Sequence, residues 1–478
     1  MLSGPIFGAL GGLGRNGARP SWGRDRGMFI CEPLAVWPYQ RERDFGGTGL
    51  LTHYPWMRAG EIGASPSAGA ASGFGAFRNS SAPSRATTFV PRVRRKAGMR
   101  ALVAGVAVVL AALAARGAEA AVWPSVPSSA QLARERAADL AAAEAGVADA
   151  QRWWNADESW YNDFLFPQGA ATLARLWSVY PLLESLVAVY RAEPSADNLA
   201  RLQALADPGA GVYWNPSLQP VGGYEWYPGL KTAASAAYYD DSGWWGIAYI
   251  DAYAATDDPR YLVAAHRAFV FIVGSGWDPV RGGTWWETGH NHKTIEPLAA
   301  ALLIGTRLYE IRHKSWYLGW VKKLLAWADA NSFNHERGLY QRSASDDTVL
   351  SYAEALIIVA QQELCQALKQ PLRCAKARQL ADAASVAFPP EYWWAPQYDA
   401  VYLRWMLEYY TLSGDSRWYA LALDRARLVR DYARDPYNGL FTHGWDGRWI
   451  ADGLEEHAGN TAVLAWAAAA PTPAARRR

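Results

Sequence analysis

Beyond residue 121 the apolar side chains recur three and four positions apart and sustained period-two alternation is almost absent, so the chain reads as helices. The spacing predicts helices over 130–152, 169–192, 196–206, 242–256, 258–274, 294–312, 315–331, 348–368, 373–388, 398–413, 415–434 and 456–470. Alternate segments open on a short polar or proline-bearing turn, as at Asp257-Asp258-Pro259 and Gly414-Asp415, and end in a glycine-bearing loop with aromatics. These loops repeat at Asp207–Trp214, Asp278–Trp285, Asn334–Tyr340 and Asp435–Phe441, with weaker equivalents near Asn155–Tyr161 and Pro390–Trp394. A repeat of roughly 45 to 70 residues is the length of two helices with their connections. Six such hairpins suggest a closed ring with one helix of each pair lining the centre. An open solenoid of stacked pairs shares the periodicity, but long aromatic loops on one side only suit a shared pocket.

The first 98 residues show no helical or strand periodicity and are expected to be a non-coding upstream extension or disordered. Then Arg92, Arg94, Arg95, Lys96 and Arg100 precede an apolar run from Ala101 to Ala115 and the small-residue pattern Ala118-Glu119-Ala120. This is the grammar of a secretory signal. It implies translation from Met99, a signal peptide over 99–120, a catalytic domain over 121–470, a basic tail over 471–478, and a secreted or periplasmic product. A signal anchor is the alternative, since the run is marginal for a bilayer of about 30 Å; cleavage would leave no stable membrane insertion. Cys365 and Cys374 flank a short loop at Lys369-Gln370-Pro371, where a disulfide depends on a geometry that sequence leaves open.

The 25 Trp and 25 Tyr exceed what packing demands and point to ligands with flat faces, sugars or nucleobases. Against 45 acidic residues, 47 Lys and Arg leave a charge of only +2 and no basic stripe between the termini, which argues against a nucleic-acid partner.

One segment stands apart, Tyr238-Tyr239-Asp240-Asp241-Ser242-Gly243-Trp244-Trp245. Two acids opening a helix can simply cap it, contributing about 1–2 kcal/mol. Capping does not call for tyrosines before and tryptophans after, whereas hydrolysis of a glycosidic bond requires two carboxyl groups. Mutual repulsion and aromatic desolvation would raise one pKa into the range of a general acid.

The stretch YYDDSGWWGIAYIDAY, followed by Asp257–Leu262, Ser275–Asp278, Gly282–Trp286, Lys293–Glu296 and Arg307–Tyr309, and later Pro396–Tyr398 and Val401–Arg404, resembles glycoside hydrolase family 76, the endo-α-1,6-mannanases. The likeness covers roughly residues 150 to 470. It implies an all-α (α/α)6 barrel and retaining hydrolysis of α-1,6-mannosides, with Asp240 as nucleophile, Asp241 as acid/base and no metal or organic cofactor. Two departures replace amides by acids: Tyr352-Ala353-Glu354-Ala355 where the family tends to Tyr-Asn-Gln-Gly, and Lys293-Thr294-Ile295-Glu296 where it tends to Lys-Asn-Ala-x-x-Asn. These bear on the sugar and linkage more than on the chemistry.

Expected substrate contacts are Tyr239, Trp244, Trp245, Trp285, Trp286, Lys293, Tyr352, Glu354 and Arg404, the doubled tryptophans dividing between core and cleft. His290-Asn291-His292 lacks a third ligand and reads as a polar loop, and Asp346-Asp347 as a solvent-facing helix start. The expected partner is a polysaccharide or oligosaccharide, met by a monomer. Two rivals remain. A polysaccharide lyase would need a basic cleft, for which Lys293, Arg281 and Arg404 are the candidates, and a non-catalytic glycan binder would have no use for both aspartates.

Overall fold

The computed structural model describes residues 122–166, 172–229 and 231–473; the expected signal, the upstream segment and most of the basic tail lie outside them. Twelve α-helices are found among the described residues. They are α1 (Ser129–Asp149), α2 (Leu176–Ala192), α3 (Ala196–Val212), α4 (Tyr239–Thr256), α5 (Pro259–Gly274), α6 (Ile295–Arg312), α7 (Ser315–Asn331), α8 (Ser351–Leu368), α9 (Pro371–Ala387), α10 (Pro396–Ser413), α11 (Ser416–Leu428) and α12 (Leu454–Ala469).

The even-numbered helices are buried on nearly every side, whereas the odd ones other than α11 bury mainly one face. Each even helix packs on the next, and α12 returns to pack on α2. That contact closes the ring, which an open solenoid would not do. The result is the (α/α)6 barrel, six inner helices covered by six outer ones.

Several boundaries moved for local reasons. Helix α2 starts at Leu176 rather than 169, because Ala174 N–H donates to Tyr161 O (2.7 Å) and Leu173 bridges Asn162, drawing the preceding residues into an extended pairing. Helix α8 starts at Ser351 because Thr348 O accepts from Arg342 N–H (2.8 Å); Asp346 thus sits in a turn, not on a helix. Helix α3 runs through Pro208 to Val212, its Asp207 being held by Arg260 (2.9 Å) and Tyr261 (2.9 Å) of α5. The last turn after α11, Val429–Ala433, widens into a π-helix.

The loop repeat has a clear physical basis. Asp278, Asn334 and Asp435 each accept two backbone N–H bonds from residues two and three ahead, and each is followed four residues on by a glycine at positive φ, Gly282, Gly338 and Gly439. At the first copy Asn155 does the same with Ser159 at φ 51°. The second copy begins at Asn215, not Asp207 as the sequence suggests, since the latter lies inside α3.

The barrel's centre is closed by charge. Asp251 of α4 is bonded by Arg404 of α10 (3.1 Å) and Arg307 of α6 (2.9 Å); Arg307 also reaches Glu363 of α8 (2.9 Å), and Arg404 reaches Glu408 (2.8 Å). Glu184 of α2 accepts from Trp466 Nε1–H of α12 (3.0 Å), completing contributions from all six inner helices. Burial pushes Glu184 and Glu363 up to about 8, while Arg404 and Arg307 hold Glu408 down at about 2 against that same desolvation.

Cys365 and Cys374 form a disulfide with Cα atoms 5.3 Å apart, joining the end of α8 to α9. Closing so short a loop stabilises by about 2–3 kcal/mol on chain-entropy grounds. Urea unfolding with and without dithiothreitol should differ by that amount; coincident midpoints would show that the bond contributes nothing.

Candidate active site

Because each inner helix follows a hairpin loop, all six begin at the same end of the barrel, and their first turns form one mouth. The start of α4 is fixed by backbone pairing rather than by a cap. Tyr239 N–H donates to Trp286 O (2.9 Å), Thr288 N–H donates to Ala237 O (3.0 Å), and Tyr238, whose side chain makes no cap bond, bridges Glu287. Asp240 and Asp241 are therefore the second and third helical residues. Both keep partial solvent access in a turn that is otherwise buried.

Their surroundings differ. Asp240 is held at both oxygens, Oδ2 accepting from Trp286 Nε1–H (2.8 Å) and Oδ1 from Asp241 N–H (3.0 Å). The Asp241 carboxyl accepts no hydrogen bond from a described residue. Burial, reinforced by the charge of Glu296, pushes Asp240 up to about 7, against the lowering pull of the Trp286 bond. Burial and the adjoining Asp240 raise Asp241 well above the carboxylate range, with Arg175 opposing. The two carboxyls thus differ, one favoured as an anion by two N–H donors and the other pushed toward its protonated form by burial and its neighbour's charge.

Beside the pair lies an aromatic floor. Tyr398 of α10 stacks on Trp394 (4.2 Å, 12°) and on Tyr352 of α8 (5.3 Å, 24°), Trp177 of α2 lies 5.3 Å from Tyr398 and 5.6 Å from Trp244, and Trp244 meets Tyr352 edge-on. Trp177, Trp394 and Tyr398 are half-buried and so keep surface for a ligand. On the other side of the carboxyls Trp286 leans on Tyr238 (5.0 Å), which meets Trp226 edge-on.

Residues 140–367, from α1 to the end of α8, match the family model for glycosyl hydrolase family 76. Over this stretch the chain is similar to that family. A family 76 α-mannanase of Bacteroides thetaiotaomicron shares its fold at 18% identity, the match covering 69% of this chain and 95% of that one with a TM-score of 0.59. The α-1,6-mannanase of Salegentibacter sp. HEL1_6, solved with α-1,6-mannotriose as an inactive variant in which two consecutive aspartates are asparagine, matches at 17% identity over 69% of this chain and 99% of its own, TM-score 0.56. A cellobiose 2-epimerase of Spirochaeta thermophila matches at 12% identity, 72% and 99% coverage and TM-score 0.52, so the barrel alone does not fix the reaction. No curated protein matches the chain.

The expected contact residues divide. Trp286 and Tyr352 lie at the mouth with the aspartates, and Trp244 forms the floor beneath. Tyr239 is fully buried and turns its hydroxyl to Ser275 (2.7 Å) and His290 (3.2 Å). Trp285 carries His290 stacked on its ring (5.3 Å, 11°) and the Lys293 ammonium over it (4.7 Å). Lys293 itself is bound by Asp278 (2.6 Å) and bonds to Gly282 O (2.7 Å), bracing its loop.

Three expectations need correction on position. Trp245 is fully buried, edge-on to Tyr213 (5.4 Å) and Tyr249 (5.5 Å), with no face left for a sugar. Glu354 accepts from Tyr340 N–H and so pins the 333–340 hairpin instead of facing the cleft; burial pushes it up to about 8. Arg404 pairs with Asp251, which lies eleven residues along α4 from Asp240, a drop of about 16 Å at 1.5 Å per residue.

Trp177 and Tyr398 were not singled out from sequence because neither stands in a doublet. A signal exists for Trp177, though not for Tyr398, in that Trp177, Asp240, Glu296, Tyr352, Gln397 and Glu455 are each the second residue of an inner helix. Equivalent positions on neighbouring helices of a ring face a common mouth.

The Trp286 bond gives a direct test of the Asp240 environment. Trp286→Phe removes a donor to the anion, so the Asp240 pKa rises and the acidic limb of the kcat/KM profile moves to higher pH by roughly one unit. A profile superimposable on the parent's would mean that the bond does not govern Asp240.

Proposed function

We propose that this protein is an exported, retaining glycoside hydrolase acting within α-1,6-linked mannan or a related microbial polysaccharide. The observation that carries the reading is the adjacent carboxyl pair at the mouth, one member held at both oxygens by N–H donors and the other accepting no hydrogen bond from a described residue. Asp240 attacks the anomeric carbon while Asp241 protonates the departing glycosidic oxygen, leaving a glycosyl ester on Asp240. Asp241, now ionised, takes a proton from water, which attacks the same carbon and restores both carboxyls. The Salegentibacter protein supports the linkage, since its inactive variant altered two consecutive aspartates and held an α-1,6-mannotriose.

Two features argue against a uronate lyase. Of Lys293, Arg281 and Arg404, on which a basic cleft would draw, Lys293 and Arg404 are committed to Asp278 and Asp251, and acids dominate the first turns of the inner helices. Export is supported by the signal grammar over 92–120 and by the disulfide, a bond that persists in oxidising compartments. Incubation with α-1,6-mannan, other α- and β-mannans and uncharged glucans, with product sizing, tests the activity. Mannooligosaccharides of the α-anomer released from α-1,6-mannan alone are expected; cleavage of a different backbone, or inverted products, would overturn it. N-terminal sequencing of secreted material should find a start near Ala121.

A further inference from the structure

Helices α4 and α6 are neighbours in the inner ring, and each carries an acid as its second residue, Asp240 and Glu296. Glu296 is only 2% exposed. Its Oε1 accepts from Arg342 Nε–H (2.8 Å), yet its Oε2, equally buried, receives no hydrogen bond. Arg342 is fixed in turn, since its carbonyl accepts from Ile295 N–H (2.9 Å) at the head of α6 and its Nη1 reaches Asp346 (3.4 Å). The same guanidinium lies 5.7 Å from the ring centroid of Trp286, whose N–H holds Asp240. One arginine therefore touches the two side chains, one anionic and one donating, that act directly on Asp240.

We propose that Glu296 and Arg342 are positioning residues for Asp240, the glutamate setting the field in which the nucleophile carries its charge and the arginine fixing both that glutamate and Trp286. The inference rests on the hydrolytic reading above. The charged and titratable groups facing the aspartates are Tyr238 before α4, itself beside Glu287 of the following loop, Asp241 on α4, Glu296 on α6, Arg342 in the loop before α8, Tyr352 on α8, and, on the Asp241 side, Arg175 before α2, Tyr213 after α3 and Glu455 on α12. Among these the cation nearest the Asp240 side is Arg342, and it is bound to the carboxylate that most opposes ionisation there. A nucleophile poised near neutrality is more basic, and hence more reactive, than an ordinary aspartate.

The sign follows. Removing the Glu296 charge eases ionisation of Asp240, and removing Arg342 unmasks Glu296 and impedes it. The probe is a dinitrophenyl α-1,6-mannobioside, whose leaving group needs no proton, so that the acidic limb of kcat/KM reports Asp240. Glu296→Gln should move that limb down by about one pH unit, and Arg342→Gln should move it up by a similar amount. In the Glu296→Gln background the Arg342→Gln shift should shrink, because no carboxylate is left to unmask. Glu296→Gln is isosteric and retains an oxygen for Arg342, so it decides alone if Arg342→Gln loses its helical circular dichroism. Limbs that overlay the parent's while Asp240→Ala stays inactive would overturn the proposal and leave the hydrolytic reading standing. If Asp240→Ala matches the parent, that reading fails and the proposal falls with it.

Discussion

Asp240→Ala should abolish turnover on every glycoside, because in the retaining mechanism proposed above attack by this carboxylate begins each catalytic cycle whatever the leaving group. Asp241→Ala should fail differently. On natural glycans, which require protonation of the departing oxygen, most activity is lost. On the dinitrophenyl glycoside the first step survives, the glycosyl ester on Asp240 accumulates, and added azide releases it as a glycosyl azide. The contrast follows from the environments described above, with two N–H donors on Asp240 and none on the Asp241 carboxyl among the described residues. Neither variant should unfold, since neither side chain is the N-cap and the start of α4 is held by the backbone bonds of residues 237–239. Near-parental kinetics in either variant, with circular dichroism intact, would remove the pair from the mechanism.

The second large effect is on stability. Trp245→Ala should destabilise the domain by about 3–5 kcal/mol, the cost of emptying a fully buried indole site. The cavity would open between Tyr213, Tyr249 and Gly209, whose backbone approaches the ring so closely that even an added methyl there would meet Cζ2 at 2.8 Å. Trp394→Ala should do the opposite, leaving the urea midpoint nearly unchanged while weakening oligosaccharide binding by about 1–3 kcal/mol, on the analogy of aromatic stacking elsewhere. Parallel urea unfolding and calorimetric titration with mannooligosaccharides read both. A stable Trp245→Ala that binds poorly would return that ring to the cleft.

Trp245 and its neighbour also mark what sequence can and cannot convey. The helices were legible because amphipathic spacing is local, and the aspartates because two acids between aromatic doublets fit chemistry better than capping. Burial is tertiary. Nothing in Trp244-Trp245 says that the first ring faces Trp177 across the mouth while the second turns toward α3 and its loop. Glu354 and Arg404 likewise carry charges that suggest a ligand, and the fold uses them to hold a hairpin and to fill the barrel. The turn into α2 was misplaced for a related reason, since Ala174 takes its partner from Tyr161 in the preceding hairpin, a contact that no window of local periodicity contains.

The ionic cluster around Asp251 and Arg404 has a consequence for how a polymer can be handled. With side chains of all six inner helices meeting on the axis, the cleft is a blind well and not a tunnel. A polysaccharide bound there cannot thread through the barrel. Whatever part of it reaches the carboxyls enters and leaves by the same side, so the chain has to be released or slid sideways over the aromatic rings before another linkage can take that place.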